Sequence, residues 1–152
     1  MKRFDFRLKS VLILRQRLLN EAEQRYSHAI ASRRAVEGKI EAHLQNLERM
    51  NEQMMAEQKQ SFRGATQQGF LMFMGDAQQH LKALEQELRV ATQHELKARS
   101  HYLEANRNHE LLLKLKNRQR TEHLQRELLK EQQLQDDMFN ARRALSTGVT
   151  RA

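Results

Sequence analysis

The sequence predicts an all-α protein, a long antiparallel two-helix coiled-coil hairpin. Three observations carry that prediction. The 152 residues include no proline. Apolar residues recur three and four positions apart along two long stretches. Between those stretches lie three of the chain's five glycines. A proline would cost a helix interior about 3 kcal/mol and cut it, so its absence leaves long helices unbroken. A repeat averaging 3.5 keeps one stripe turned toward a neighbouring helix.

The first helix is expected over about residues 5–60. Its stripe runs Tyr26, Ala29, Arg33, Val36, Ile40, His43, Leu47, Met50, Met54. Extended backward, the same phase meets Ala22, Leu19, Leu12 and Leu8. The apolar knot "VLIL" near the start therefore belongs to this helix. It is too short to span a membrane, which takes about 20 apolar residues. Arg15 and Arg17 interrupt it and no small-residue cleavage site follows, so a signal peptide is not expected.

Gly64, Gly69 and Gly75 break the rhythm, and a turn or tip is expected over about 61–76. A second helix follows over about 77–145, with Leu81, Leu84, Leu88, Ala91, Glu95, Ala98, Tyr102, Ala105, His109 and Leu112 in its stripe. That stripe fades across Lys116–His123 and returns one position out of phase as Leu124, Leu128, Leu134, Met138, Ala141 and Leu145. The tail 146–152 is expected to fray. The whole chain, 1–152, reads as one elongated coiled-coil domain. One register sets Tyr26 against Ala105 and Ala29 against Tyr102, and is favoured. A shifted register sets His43 against Glu95. In either, the stretch from Leu134 to Leu145 runs past the first helix and lacks an intramolecular cover, so a protein partner is expected there.

Composition narrows the function. The chain is 30% charged, has a mean hydropathy of −0.86 and no tryptophan, and is rich in helix formers. Without cysteine there is no disulfide, thiolate metal site or thiol nucleophile. The net charge of +8 attracts acidic partners of any class. "GATQQGFL" has the glycine spacing of a phosphate loop, but Phe70 stands where the lysine must be and no strand precedes it. His94 and His101 share a helix face, yet a closed metal site needs further ligands, so solvated surface is the reading. Asp136 and Asp137, being adjacent, point apart. No catalytic residue, metal or cofactor is expected. Met50 and Met54 read as core. Met72 and Met74 fit either a packed layer or an adaptable surface. Phe70, Leu71 and Phe73 either cap the seam or form a contact patch. The basic run Lys114, Lys116, Arg118, Arg120, Arg126, Lys130 is interleaved with Glu122, Glu127 and Glu131 and has no stacking aromatics, which argues against nucleic acid.

Two segments resemble a known family. "FDFRLKSVLILRQRLLNEAEQ" resembles the N-terminal signature of the flagellar export protein FliJ family, Phe-x-Phe-x-Leu leading into a Leu–Arg helix. "KNRQRTEHLQRELLKEQQLQDDMFNARRA" resembles its C-terminal signature, with Asp136-Asp137 where the family more often has Asp-Glu. The YscO-type injectisome proteins are a close second. The resemblance implies a non-enzymatic coiled-coil stalk, similar to the antiparallel coiled coil of the rotary ATP synthase gamma subunit. Such a stalk inserts into the hexameric ring of the export ATPase FliI, promotes its assembly and links it to the cytoplasmic domain of the export gate FlhA. Export chaperones are further partners that the resemblance implies. It implies a cytoplasmic monomer, peripheral to the inner membrane at the flagellar basal body. Carried over, the ATPase-ring-binding residues are Phe4, Phe6, Leu8, Leu12, Leu134, Met138 and Leu145. The export-gate-binding residues are Ile40, Leu44, Leu47, Phe70, Phe73, Met74 and Leu81. The rival functions are a basic nucleic-acid-binding coiled coil and a dimeric structural spacer.

Overall fold

The computed structural model describes residues 1–59 and 64–149. Two helices pack antiparallel as a hairpin: α1 is Lys9–Gln58 and α2 is Gly64–Val149. Neither helix has an acidic residue in its first turn or a basic one in its last. Both forgo the roughly 0.3–1 kcal/mol that charge complementing the helix dipole supplies. Packing of one face has to hold them.

The chain divides into two compact units, residues 18–105 and residues 1–17 with 106–152. In the first of these, the seam follows the predicted stripes. On α1, Leu19, Ala22, Tyr26, Ala29, Arg33, Val36, Ile40, His43, Leu47 and Met54 are buried or half-buried. On α2, Leu81, Leu84, Leu88, Ala91, Glu95, Ala98, Tyr102 and Ala105 are likewise covered. Met50, expected in the core, is exposed. The most buried positions are small: Ala22, Ala29, Ala77 and Ala98, with Leu84 as the large exception. A two-helix seam has no third wall, so only side chains lying tight against the partner backbone are closed off from water.

Two cross-helix contacts seven residues apart on each strand of the hairpin fix the register. Tyr26 stacks on Tyr102, ring centroids 5.7 Å apart and 20° from parallel. Arg33 donates from Nε to the Glu95 carboxylate. The expected facing of Tyr26 with Ala105 and Ala29 with Tyr102 is therefore corrected, and so is His43 with Glu95. Apolar spacing alone fits registers that differ by one or two turns. Arg33 and Glu95 both point into the seam, and only one register lets each find its opposite charge. Arg33 also donates to Glu37 Oε1 at 2.6 Å. The hydrogen bonds to Glu37 and then Glu95 raise the guanidinium's pKa above its ordinary value. His43 is satisfied in the seam by donating from Nε2 to the Ala77 carbonyl at 3.0 Å, with its ring 4.7 Å from that of His80.

The tip differs from expectation. Residues 64–76, expected as part of the turn, form the first turns of α2, and the expected positions 61–63 lie outside the described residues. None of the described glycines has positive φ. Three glycines cost about 1 kcal/mol each against alanine, too little to stop a helix with no proline. The far end differs too. Helix continues to Val149, with the Thr147 hydroxyl donating to the Arg143 and Ala144 carbonyls; 150–152 lie outside the described residues.

A Cβ built on Gly75 meets nothing within 4 Å. Gly75→Ala should raise stability by about 0.5–1 kcal/mol in urea melts followed by circular dichroism. A double-mutant cycle of Tyr26→Ala and Tyr102→Ala should return a coupling of about 0.5–1.5 kcal/mol. Additive single effects would dismiss the stack as the register lock.

Candidate partner-binding surfaces

Residues 106–149 of α2 carry two different surfaces in their unit. The seam phase continues through His109, Leu112, Lys116, His123 and Glu127, which are buried or half-buried. Its polar end has a reason. The element lying on it is not helix but the segment before Lys9, whose peptide groups need partners. The Lys2 N–H donates to Glu127 Oε2 at 3.2 Å, and His123 Nε2 donates to the Lys2 carbonyl at 2.9 Å. Phe4 packs against the His123 ring at 5.6 Å, and Phe6 is only 5% exposed. The chain then turns into α1, the Lys9 N–H donating to the Phe6 carbonyl at 3.1 Å.

Glu127 is the sole buried charged residue among those described, at 8% exposure. Lys130 Nζ donates to its Oε1 at 3.0 Å. That bond first, and the Lys2 N–H second, lower its carboxyl pKa below the ordinary value of 4.5. The apolar set one position out of phase faces solvent instead. Leu124, Leu128, Leu134, Met138 and Leu145 are all exposed, and every described side chain from Glu131 to Gly148 is open to water. The phase slip in the sequence thus marks a stripe on the outer surface, while the covered face carries on in phase with polar residues.

A scan against protein-family models matches residues 4–147 to the family described as "Flagellar FliJ protein". The chain belongs to the FliJ family. Membership gives this FliJ-family chain a flagellar export-related role, among structural export components and not known enzymes. No curated protein and no solved structure matches it. No helix among the described residues is long and apolar enough to cross a membrane.

The structure sorts the residues that the family signature singles out. Phe6 is buried and Phe4 and Leu12 are half-buried, so they hold the first segment of the FliJ-family chain in place. Leu8, at 37% exposure, lies at the solvent edge. Leu134, Met138 and Leu145 are 63%, 53% and 71% exposed, and their spacing of four and seven places them on one helix face. In the unit formed by residues 18–105, Ile40, Leu47, Phe70, Met74 and Leu81 are half-buried. Leu44 and Phe73 point outward, joined among exposed residues by Met55, Leu71 and Met72.

Sequence reasoning missed His123 and Glu127 as anchors of the first segment. Their signal was positional: both keep the phase of the seam where the apolar side chains leave it. The sign of the Glu127 effect follows from its lowered pKa. The folded state favours the carboxylate, so its contribution is present above pH 4.5 and is lost as pH falls through the folded value. Wild type should exceed Glu127→Gln in stability at pH 7, and the difference should vanish in acid. Amide exchange at Lys2 should accelerate over the same interval. A gap between the two proteins that does not change with pH would contradict this.

Proposed function

We propose that this protein is a non-enzymatic coupling element of the flagellar type III export apparatus, seated in the ring of the export ATPase FliI and linking it to the export gate FlhA. Family membership over residues 4–147 supports the export role. The observation that carries the ring contact is the uncovered α2 stretch from Glu131 to Gly148, with Leu134, Met138 and Leu145 along one face. Exposed apolar surface of this extent is expensive to keep in water and marks a protein contact. Phe4, Phe6 and Leu12 are covered within the same compact unit and hold its first segment, and Leu8 lies at its solvent edge.

The gate contact falls on the outward residues near the tip, Leu44 and Phe73. Ile40, Leu47, Phe70, Met74 and Leu81 shape the helices beneath. Placement in the cytoplasm, peripheral to the inner membrane, and contacts with export chaperones belong to the same reading. The isolated protein is expected to be a monomer. The exposed stripe favours a protein surface over nucleic acid, because its contacts are aliphatic and not stacking aromatics.

The test is direct binding of purified full-length chain to the export ATPase and to the gate's cytoplasmic domain. Replacing Leu134, Met138 and Leu145 together by Asp should weaken ATPase binding by roughly tenfold or more, with circular dichroism checking that the variant remains helical. Leu44→Asp with Phe73→Asp should weaken gate binding and spare the ATPase. Wild-type affinity for both partners in both variants would refute the assignment.

A further inference from the structure

The compact unit formed by residues 18–105 carries a groove that neither the ring nor the gate surface uses. It has a volume of about 920 Å³ and runs beside the seam, along residues 22–32 of α1 and 83–101 of α2. Its floor is apolar and low: Ala22, Ala29, Ala91 and Ala98, with Val90 at 56% exposure. Small side chains let a third helix axis come near, since interaxial distance follows the side chains at the contact. The length along α2 corresponds to about five helical turns, a length suited to a helix more than to a compact small molecule.

The rim decides what kind of helix. Arg25 and His28 face the groove from α1; Glu87, His94, Lys97 and His101 face it from α2. The ion pairs and hydrogen bonds of the described residues engage neither Arg25 nor Lys97. Two free cations and three imidazoles thus stand against a single carboxylate. A second copy of this chain, itself at +8, would bring like charge to that rim. The groove offers no Phe, Tyr or Trp ring on which a nucleic-acid base could stack.

We propose that this groove docks one acidic amphipathic helix of a protein partner, its apolar face on the alanines and its carboxylates toward Arg25, Lys97 and the histidines. A helix in an apolar groove, anchored at three- and four-residue spacing, is a recurrent mode of recognition. His94 and His101, seven residues apart on α2, are part of that polar rim.

The experiment uses the full chain and two labelled helical peptides of about 20 residues. They share one Ala/Leu face and carry either Glu or Lys on the other. Fluorescence anisotropy should show the Glu peptide binding about tenfold tighter than the Lys peptide. Val90→Glu should weaken the Glu peptide about tenfold, and Arg25→Glu with Lys97→Glu should reverse the preference. These side chains form no ion pair in the seam, and circular dichroism checks that each variant folds. Equal affinity for the two peptides, no binding of either, or indifference to Val90→Glu would overturn the proposal. So would concentration-dependent dimerisation abolished by Val90→Glu, which gives the groove to a second copy. Duplex DNA binding lost in the Arg25/Lys97 variant, without peptide binding, would give it to nucleic acid. Because these residues are distinct from the ring and gate surfaces, its failure leaves the export reading intact.

Discussion

Two helices without a third layer can hide only one narrow stripe of each other, and every other feature follows from that limit. The seam closes fully over small side chains such as Ala22, Ala29, Ala77 and Ala98 and only partly over large ones. Aliphatic contact along such a seam is nearly the same after a slide of one heptad. Register therefore falls to groups with a direction. The Tyr26–Tyr102 stack and the Arg33–Glu95 pair act together, one by shape and one by charge. A slide would leave a seam cation and a seam carboxylate without each other, a larger loss than any gained alkyl contact. His43, donating to the Ala77 carbonyl, adds a third directional contact.

The same limit explains why so much apolar surface remains in water. Leu134, Met138 and Leu145 sit where α2 has no helix opposite it, and Leu44 and Phe73 sit outside the stripe that α1 and α2 share. In a globular protein, leucines in this number would fold inward. Here they are available to other proteins, which accords with membership of a family that works within an export apparatus. The role does not require a pocket in which groups converge on a reacting atom.

Much of this was legible in the residues. Tyr26, Ala29, Arg33, Val36, Ile40 and Leu47 keep a spacing that only a helix can use, and all lie in the seam. The antiparallel pairing followed from two such stripes in one chain. The facing residues were not legible, because apolar spacing carries no absolute register and the deciding contacts join residues more than sixty positions apart. The glycines misled because glycine permits a turn without requiring one, and none here adopts the backbone that only glycine tolerates. On the surfaces, the exposed face at Leu134–Leu145 was foreseeable by counting helix lengths. Burial of Phe6 was not, since Phe6 lies in a short non-helical segment that periodicity cannot describe.

That first segment is held by its peptide groups. The amide of Lys2 reaches Glu127 and its carbonyl receives His123, while its ammonium group takes no part in either bond. Natural drift at position 2 is thus free to change size, charge or polarity at little cost. Proline alone, which has no amide hydrogen to give, is barred from that site, leaving a mark of the fastening that comparison of orthologues would reveal as tolerance with a single forbidden letter.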